Sequence, residues 1–110
     1  MNTKELFTTL KEMADKATPD PAIEALIMVE LTAPDPAVWH GRIKDGRLML
    51  AEGAPDSPDF TVTASSETAL KLYDRSLNAM SAFMMGKIKV KGDLTKAAVL
   101  KKLLMGGKGR

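Results

Sequence analysis

Covalent catalysis needs a nucleophile, a base to activate it, or a metal that supplies both, so residues able to play those parts are read first. His40 is the only histidine among 110 residues, and cysteine is absent. Without a second His, a Cys or an obvious nucleophile for company, His40 is expected to be structural or on the surface. Ser65 and Ser66 offer hydroxyls, but with Glu67 behind them they fit a helix N-terminus, where a hydroxyl oxygen accepts from free backbone N–H groups. Asp56 and Asp59 stand in a stretch rich in Pro, Ser and Gly. Loop composition accounts for them better than acid–base work, which needs two carboxyls in distinct environments around a pocket. Gly106-Gly107-Lys108-Gly109 has the residue types of a phosphate loop, yet it follows a helical pattern instead of joining a strand to a helix. No catalytic residue, metal or cofactor is expected.

What remains is material for binding. Net charge is only +2, yet Lys87 to Arg110 carries eight Lys/Arg against the single Asp93. Such a basic end attracts anions: nucleic acid, anionic membrane or an acidic ligand. Phe7, Trp39, Phe60, Tyr73 and Phe83 fall mainly on inward faces, so no aromatic platform interleaves with the lysines and nucleic-acid binding is not expected. A phospholipid surface suits the same lysines at least as well. Met80, Met84 and Met85 cluster within six residues, while Met13, Met28, Met49 and Met105 lie elsewhere. Methionine repacks around varied shapes, so such a cluster serves either core filling or an apolar site.

The elements that must position these residues follow from periodicity. Leu6, Leu10, Met13 and Ala17 recur at helical spacing, and Thr18-Pro19-Asp20-Pro21 ends that helix. Ile23 to Leu31 reads as a strand, with Ile27, Val29 and Leu31 on one face. Val38 to Ile43 alternates with Trp39, Gly41 and Ile43 together. Asp45-Gly46 predicts a two-residue hairpin turn leading to a return strand, Arg47 to Glu52. Phe60 to Ala64 alternates again, and a helix is expected from Ser66 to near Asn78, followed by a helical turn from Ala79 to Met85. Lys87-Ile88-Lys89-Val90-Lys91 has the clearest period of two, lysines outward and β-branched residues inward, as suits a protected edge strand. Gly92-Asp93 turns the chain into a last helix, Leu94 to Met105, stopped by Gly106-Gly107. Helix, about four strands, helical segment, strand and helix make an α+β fold: an antiparallel-rich sheet with helices packed on one face.

The size suits one domain, residues 1–110, and an apolar fraction of 45% with 27% charged residues lies near globular averages and suggests neither disorder nor a fibrous repeat. No run approaches the ~20 apolar residues needed to span a bilayer, and the N-terminus lacks a signal-peptide pattern. A cytoplasmic protein is expected. The ending Gly107-Lys108-Gly109-Arg110 does not match the Ser-Lys-Leu peroxisomal address.

From Pro58-Asp59-Phe60-Thr61-Val62 through Leu104 the chain resembles the sterol carrier protein 2 family of lipid-binding domains. The clearest match is Ala82-Phe83-Met84-Met85-Gly86-Lys87-Ile88-Lys89-Val90-Lys91-Gly92-Asp93: a small-residue-plus-aromatic turn, a glycine, a lysine-alternating strand and Gly-Asp. The N-terminal half agrees in element order. The resemblance implies a five-stranded, largely antiparallel sheet with helices on one face, enclosing an apolar tunnel. The tunnel would take a fatty acid, fatty acyl-CoA, phospholipid, isoprenoid or sterol. The helical residues Leu70, Tyr73, Leu77, Met80, Phe83, Met84, Leu100 and Leu104 would then form walls over the strand residues Ile88 and Val90.

For a short chain standing alone, the resemblance points to a prokaryotic-type domain for acyl or isoprenoid chains rather than a sterol-transfer protein. The expected function is non-catalytic lipid binding, with transfer or presentation of a lipid intermediate to a biosynthetic enzyme as the two ways of using it. Lys101, Lys102 and Lys108 are expected to meet an anionic headgroup or membrane. The last helix and its glycines are expected to act as a movable cover.

Overall fold

A computed structural model describes residues 1–98. The chain begins with α1 (Thr3–Lys16), started by a reciprocal cap: Glu5 N donates to Asn2 Oδ1 at 2.8 Å, and Asn2 N to Glu5 Oε1 at 3.0 Å. Its apolar stripe puts Leu6, Phe7 and Ala14 in the core. Five strands follow: β1 (Ala25–Thr32), β2 (Ala37–Lys44), β3 (Arg47–Glu52), β4 (Phe60–Ser65) and β5 (Ile88–Gly92), with α2 (Ser66–Tyr73) and α3 (Ala79–Met84) between the last two. Residues 94–98 are helical, beginning after Asp93, whose carboxylate accepts from Thr95 N and Lys96 N.

The sheet order is β3-β2-β1-β4-β5; every neighbouring pair is antiparallel except β1 and β4, which run parallel. The expected α+β architecture is therefore observed, with β5 and its lysines on an edge. The hairpin is as the sequence predicts, with φ of 54° at Asp45 and 75° at Gly46, while Lys44 pairs with Arg47. The parallel pair arises because β3 is the opposite edge: residues 53–59 carry the chain past β2 and β1 to reach β4. Crossing three strand spacings needs about 14 Å, within reach of seven residues. β1 begins two residues later than expected because Asp20 makes a turn there, accepting from Ala22 N at 2.8 Å through its side chain and from Ile23 N at 3.0 Å through its carbonyl.

The side chains of one sheet face, with Leu6 and Phe7 of α1, form two buried clusters. Leu6, Phe7, Leu31, Trp39 and Ala64 make the first, with the Phe7 and Trp39 rings tilted at 44° and 5.3 Å apart. Ala25, Ile27, Ile43 and Phe60 make the second.

Two carboxylates tie the elements together. Asp35, between β1 and β2, accepts from Thr3 N at 2.8 Å and Thr3 Oγ1 at 2.9 Å, while its own N–H donates to Ser66 Oγ at 3.0 Å. The start of α1 is thus joined to the start of α2. Asp59 accepts from Leu26 N at 2.7 Å and Lys96 Nζ at 3.3 Å, joining β1 to residues 94–98. Leu26 N–H, with Lys96 adding a hydrogen bond and its charge, holds the Asp59 carboxyl below its usual 3.8. A lowered folded value means that the stabilisation is complete above the unfolded value and is lost as pH falls through the folded one. Asp59→Asn keeps an acceptor for Leu26 but cannot ionise. With the side chain 30% exposed, the variant is expected to be less stable by about 1 kcal/mol at neutral pH. It should converge on wild type as pH falls through the lowered folded value of Asp59, which urea denaturation across the acid range checks.

Candidate functional site

Three rows of side chains cross the helix-bearing face of the sheet. The strand register aligns Leu31, Ala64 and Ile88 in one row, Val29, Val62 and Val90 in the next, and Ile27, Phe60 and Gly92 in the third. Leu31 and Ala64 are buried in the first cluster, and Ile27 and Phe60 in the second. The valine row between them is only half-buried, although two of its members lie on interior strands. Val29 packs against both clusters. Half-buried valines thus run between two buried pairs and leave an apolar strip, the valine trough, partly accessible on this face.

The helical wall beside it begins at Ser65, whose Oγ accepts from Thr68 N at 3.1 Å and caps α2. Ser66 is 1% exposed, and its hydroxyl oxygen accepts from Asp35 N, so both serines hold structure. α2 stops at Tyr73, five residues short of the expected Asn78. Asp74 Oδ1 accepts from Ser76 N at 2.8 Å, Arg75 adopts a φ of 67°, and Leu77 N returns to the Lys71 carbonyl. Asn78 is instead the cap of α3, accepting from Met80 N at 2.8 Å and Ser81 N at 3.2 Å. A residue serving as cap lies outside the helix before it. Hydrogen bonds from Ser76 hold the Asp74 carboxyl below its ordinary range.

Of the expected lining residues, Leu70 and Ile88 are half-buried and pack together on the first cluster, and Val90 packs on the second. Leu77 and Met80 are half-buried on the connection and on α3. Tyr73, Phe83 and Met84 are open to solvent, Met84 by 78%, while Ala82 anchors α3 in the interior. Leu100 and Leu104, like Lys101, Lys102, Lys108 and the proposed cover, lie outside the described residues.

Val29 and Val62 are absent from the set expected from sequence. Alternation turned them inward, but only the non-local β1–β4 register shows them at the centre of the trough. His40 lies on the other face of the sheet: its Nδ1 is 2.9 Å from the Gly53 carbonyl oxygen. That oxygen can only accept, so the ring donates from Nδ1. Among the described residues there is no group of three or more His, Cys, Asp or Glu able to hold a metal ion, and no helix long and apolar enough to cross a membrane.

A partly accessible apolar strip is of the kind that can hold an apolar chain without covalent chemistry. Residues 6–105 match the model of the SCP-2 sterol transfer family. The chain belongs to that family. The fold agrees: the solution structure of palmitated SCP2L2 from Aedes aegypti has a TM-score of 0.80 and 23% identity to this chain, covering 94% of it and 95% of the mosquito chain. An oleate-induced peroxisomal protein of Candida maltosa is 30% identical over 106 residues, 90% of this chain and 84% of that relative. Hydroxysteroid dehydrogenase-like protein 2 of Rattus norvegicus is 31% identical over 84 residues, covering 76% of this chain but 16% of the relative. This SCP-2 chain thus spans about a sixth of that relative's length.

Proposed function

We propose that this protein binds a lipid or other long apolar molecule along the valine trough, within a tunnel completed by its helices, and performs no covalent chemistry. The half-buried Val29, Val62 and Val90 between two closed clusters carry the reading, because well-packed interiors seldom leave the middle of a covered sheet face open. Leu70, Leu77, Met80, Ile88 and Val90, half-buried around the row, line the ligand in this reading, and Leu100 and Leu104 are proposed to contact it as well. Each methylene moved from water into such a lining contributes about 0.8 kcal/mol. Lys101, Lys102 and Lys108 meet an anionic headgroup or membrane, so affinity for anionic lipid should fall with salt. Membership of a sterol transfer family, a structural relative described as palmitated and a relative described as oleate-induced all support an apolar ligand. The setting we propose is cytoplasmic, which fractionation of the source cells tests.

A second use of the same trough is favoured by one observation: the dehydrogenase-like relative carries the matching stretch as a small part of a longer chain. A protein of this kind presents a lipid to an enzyme as readily as it carries one between membranes.

Native mass spectrometry of the purified protein, with lipid extraction and added palmitate, tests the reading. One lipid per chain is expected. A chain that yields no lipid and takes up no palmitate would sink it, whereas a co-purifying biosynthetic enzyme would select presentation over carriage.

A further inference from the structure

The corner where α3 meets β5 has a composition that ligand binding does not require. Phe83, Met84 and Met85 are consecutive and expose 47%, 78% and 58% of their surfaces. Fraying does not explain this exposure. Ala82 is fully buried, Met85 N donates to the Ser81 carbonyl at 2.9 Å, and Gly86 N donates to the Phe83 carbonyl at 3.1 Å. Lys87 N then donates to the Ala82 carbonyl at 2.8 Å, fastening the start of the basic strand beneath the tip. A fixed apolar projection of this kind on a small domain marks an interaction site.

Beside it, with only Gly86 between, run Lys87, Lys89 and Lys91, all exposed and covering about 13 Å of strand. Their strand is an edge. Lys89 and Lys91 pair across it with the neutral Thr63 and Thr61. Among the described residues the one ion pair is Lys96 with Asp59, so the row keeps its charge for a partner.

We propose that this corner docks the protein on an anionic lipid bilayer, the apolar tip entering the interface while the lysine row meets headgroup charge. A bilayer accepts protruding Phe and Met side chains without a matching pocket and rewards adjacent lysines. A nucleic acid would satisfy the lysines and could stack a base on Phe83, but it would leave Met84 and Met85 in water. The inference stands apart from the ligand reading, because it uses the outside of the molecule.

The test is co-sedimentation of the full chain with vesicles of phosphatidylcholine alone and of phosphatidylcholine with about one-third phosphatidylserine, at low and high salt. Strong, salt-sensitive binding to the anionic vesicles is expected. Replacing Lys87, Lys89 and Lys91 together by Gln should weaken it about 100-fold, at about fivefold per lysine. The same loss of three charges at Arg42, Lys44 and Arg47, the basic cluster by the hairpin, should change it less than about twofold. Met85→Trp reports insertion by a blue shift over the buried Trp39 background. Equal binding to both vesicles, equal loss from the two triple variants, or an unshifted emission would each overturn the proposal. Palmitate uptake without vesicles should survive in the lysine and Met85 variants, which separates a failure of docking from a failure of the trough.

Discussion

Gly92→Ala is expected to remove about 4 kcal/mol or more of folding stability, while the same change at Gly53 should remove only about 1–2. Both glycines have positive φ, +117° at Gly92 and +96° at Gly53, so both carry the conformational cost. They differ in their neighbours. A Cβ at Gly53 would meet nothing within 4 Å, whereas one at Gly92 would stand 2.6 Å from the Asp59 carbonyl oxygen and 2.7 Å from Phe60 Cα. Those atoms belong to backbone that cannot step aside: the Asp59 oxygen accepts from Asp93 N at 2.7 Å, and Phe60, 1% exposed, anchors the second cluster. Relief would have to separate β5 from β4 at the very pair, Phe60 with Gly92, that closes one side of the trough. For a domain with total stability of about 5–15 kcal/mol, such a loss is a large part of the whole. Urea midpoints of the two alanine variants, compared with wild type, measure it. Similar midpoints for both would show that the close approach does not matter.

How much of this was legible in the sequence depends on how local each determinant is. The Asp45-Gly46 hairpin, the alternation of Lys87 to Lys91 and the caps at Ser65 and Asp93 are decided within a few residues, and each is found as read. The end of α2 was not legible from apolar spacing, since Leu70, Tyr73 and Leu77 continue the helical period. The stop comes from the Asp74–Ser76 turn and the cap at Asn78, where side-chain oxygens compete with the helix for backbone donors. Asp59 read as a loop residue, because its partners Leu26 and Lys96 are more than thirty positions away on either side. The site was legible by the same measure. Alternation turned Ile88 and Val90 inward, whereas the role of Val62 depends on Val29, which reaches it only after the chain has made β2, β3 and the crossover.

Val62→Phe is expected to reverse the usual sign of a core enlargement. In a filled interior, inserting a ring in place of an isopropyl group costs about 1–3 kcal/mol, because neighbouring side chains are forced from their rotamers. At Val62 the added ring would lie over the half-buried Val29 and Val90, where the apolar surface is still open. Burying it there should stabilise the unliganded protein by about 1 kcal/mol. The gain and the loss of function have one cause, since the ring takes the place of the ligand. With ligand at about 100 times its dissociation constant, wild type should gain about 2.7 kcal/mol. That corresponds to a rise in Tm of about 10–20 °C for a domain of this size. The variant should start from a higher Tm and show almost no rise with palmitate. A lower starting Tm would show the valine row to be ordinary core, and an undiminished rise would place the ligand elsewhere. Stability surrendered at the centre of the sheet is, on this argument, what keeps the trough open for a lipid.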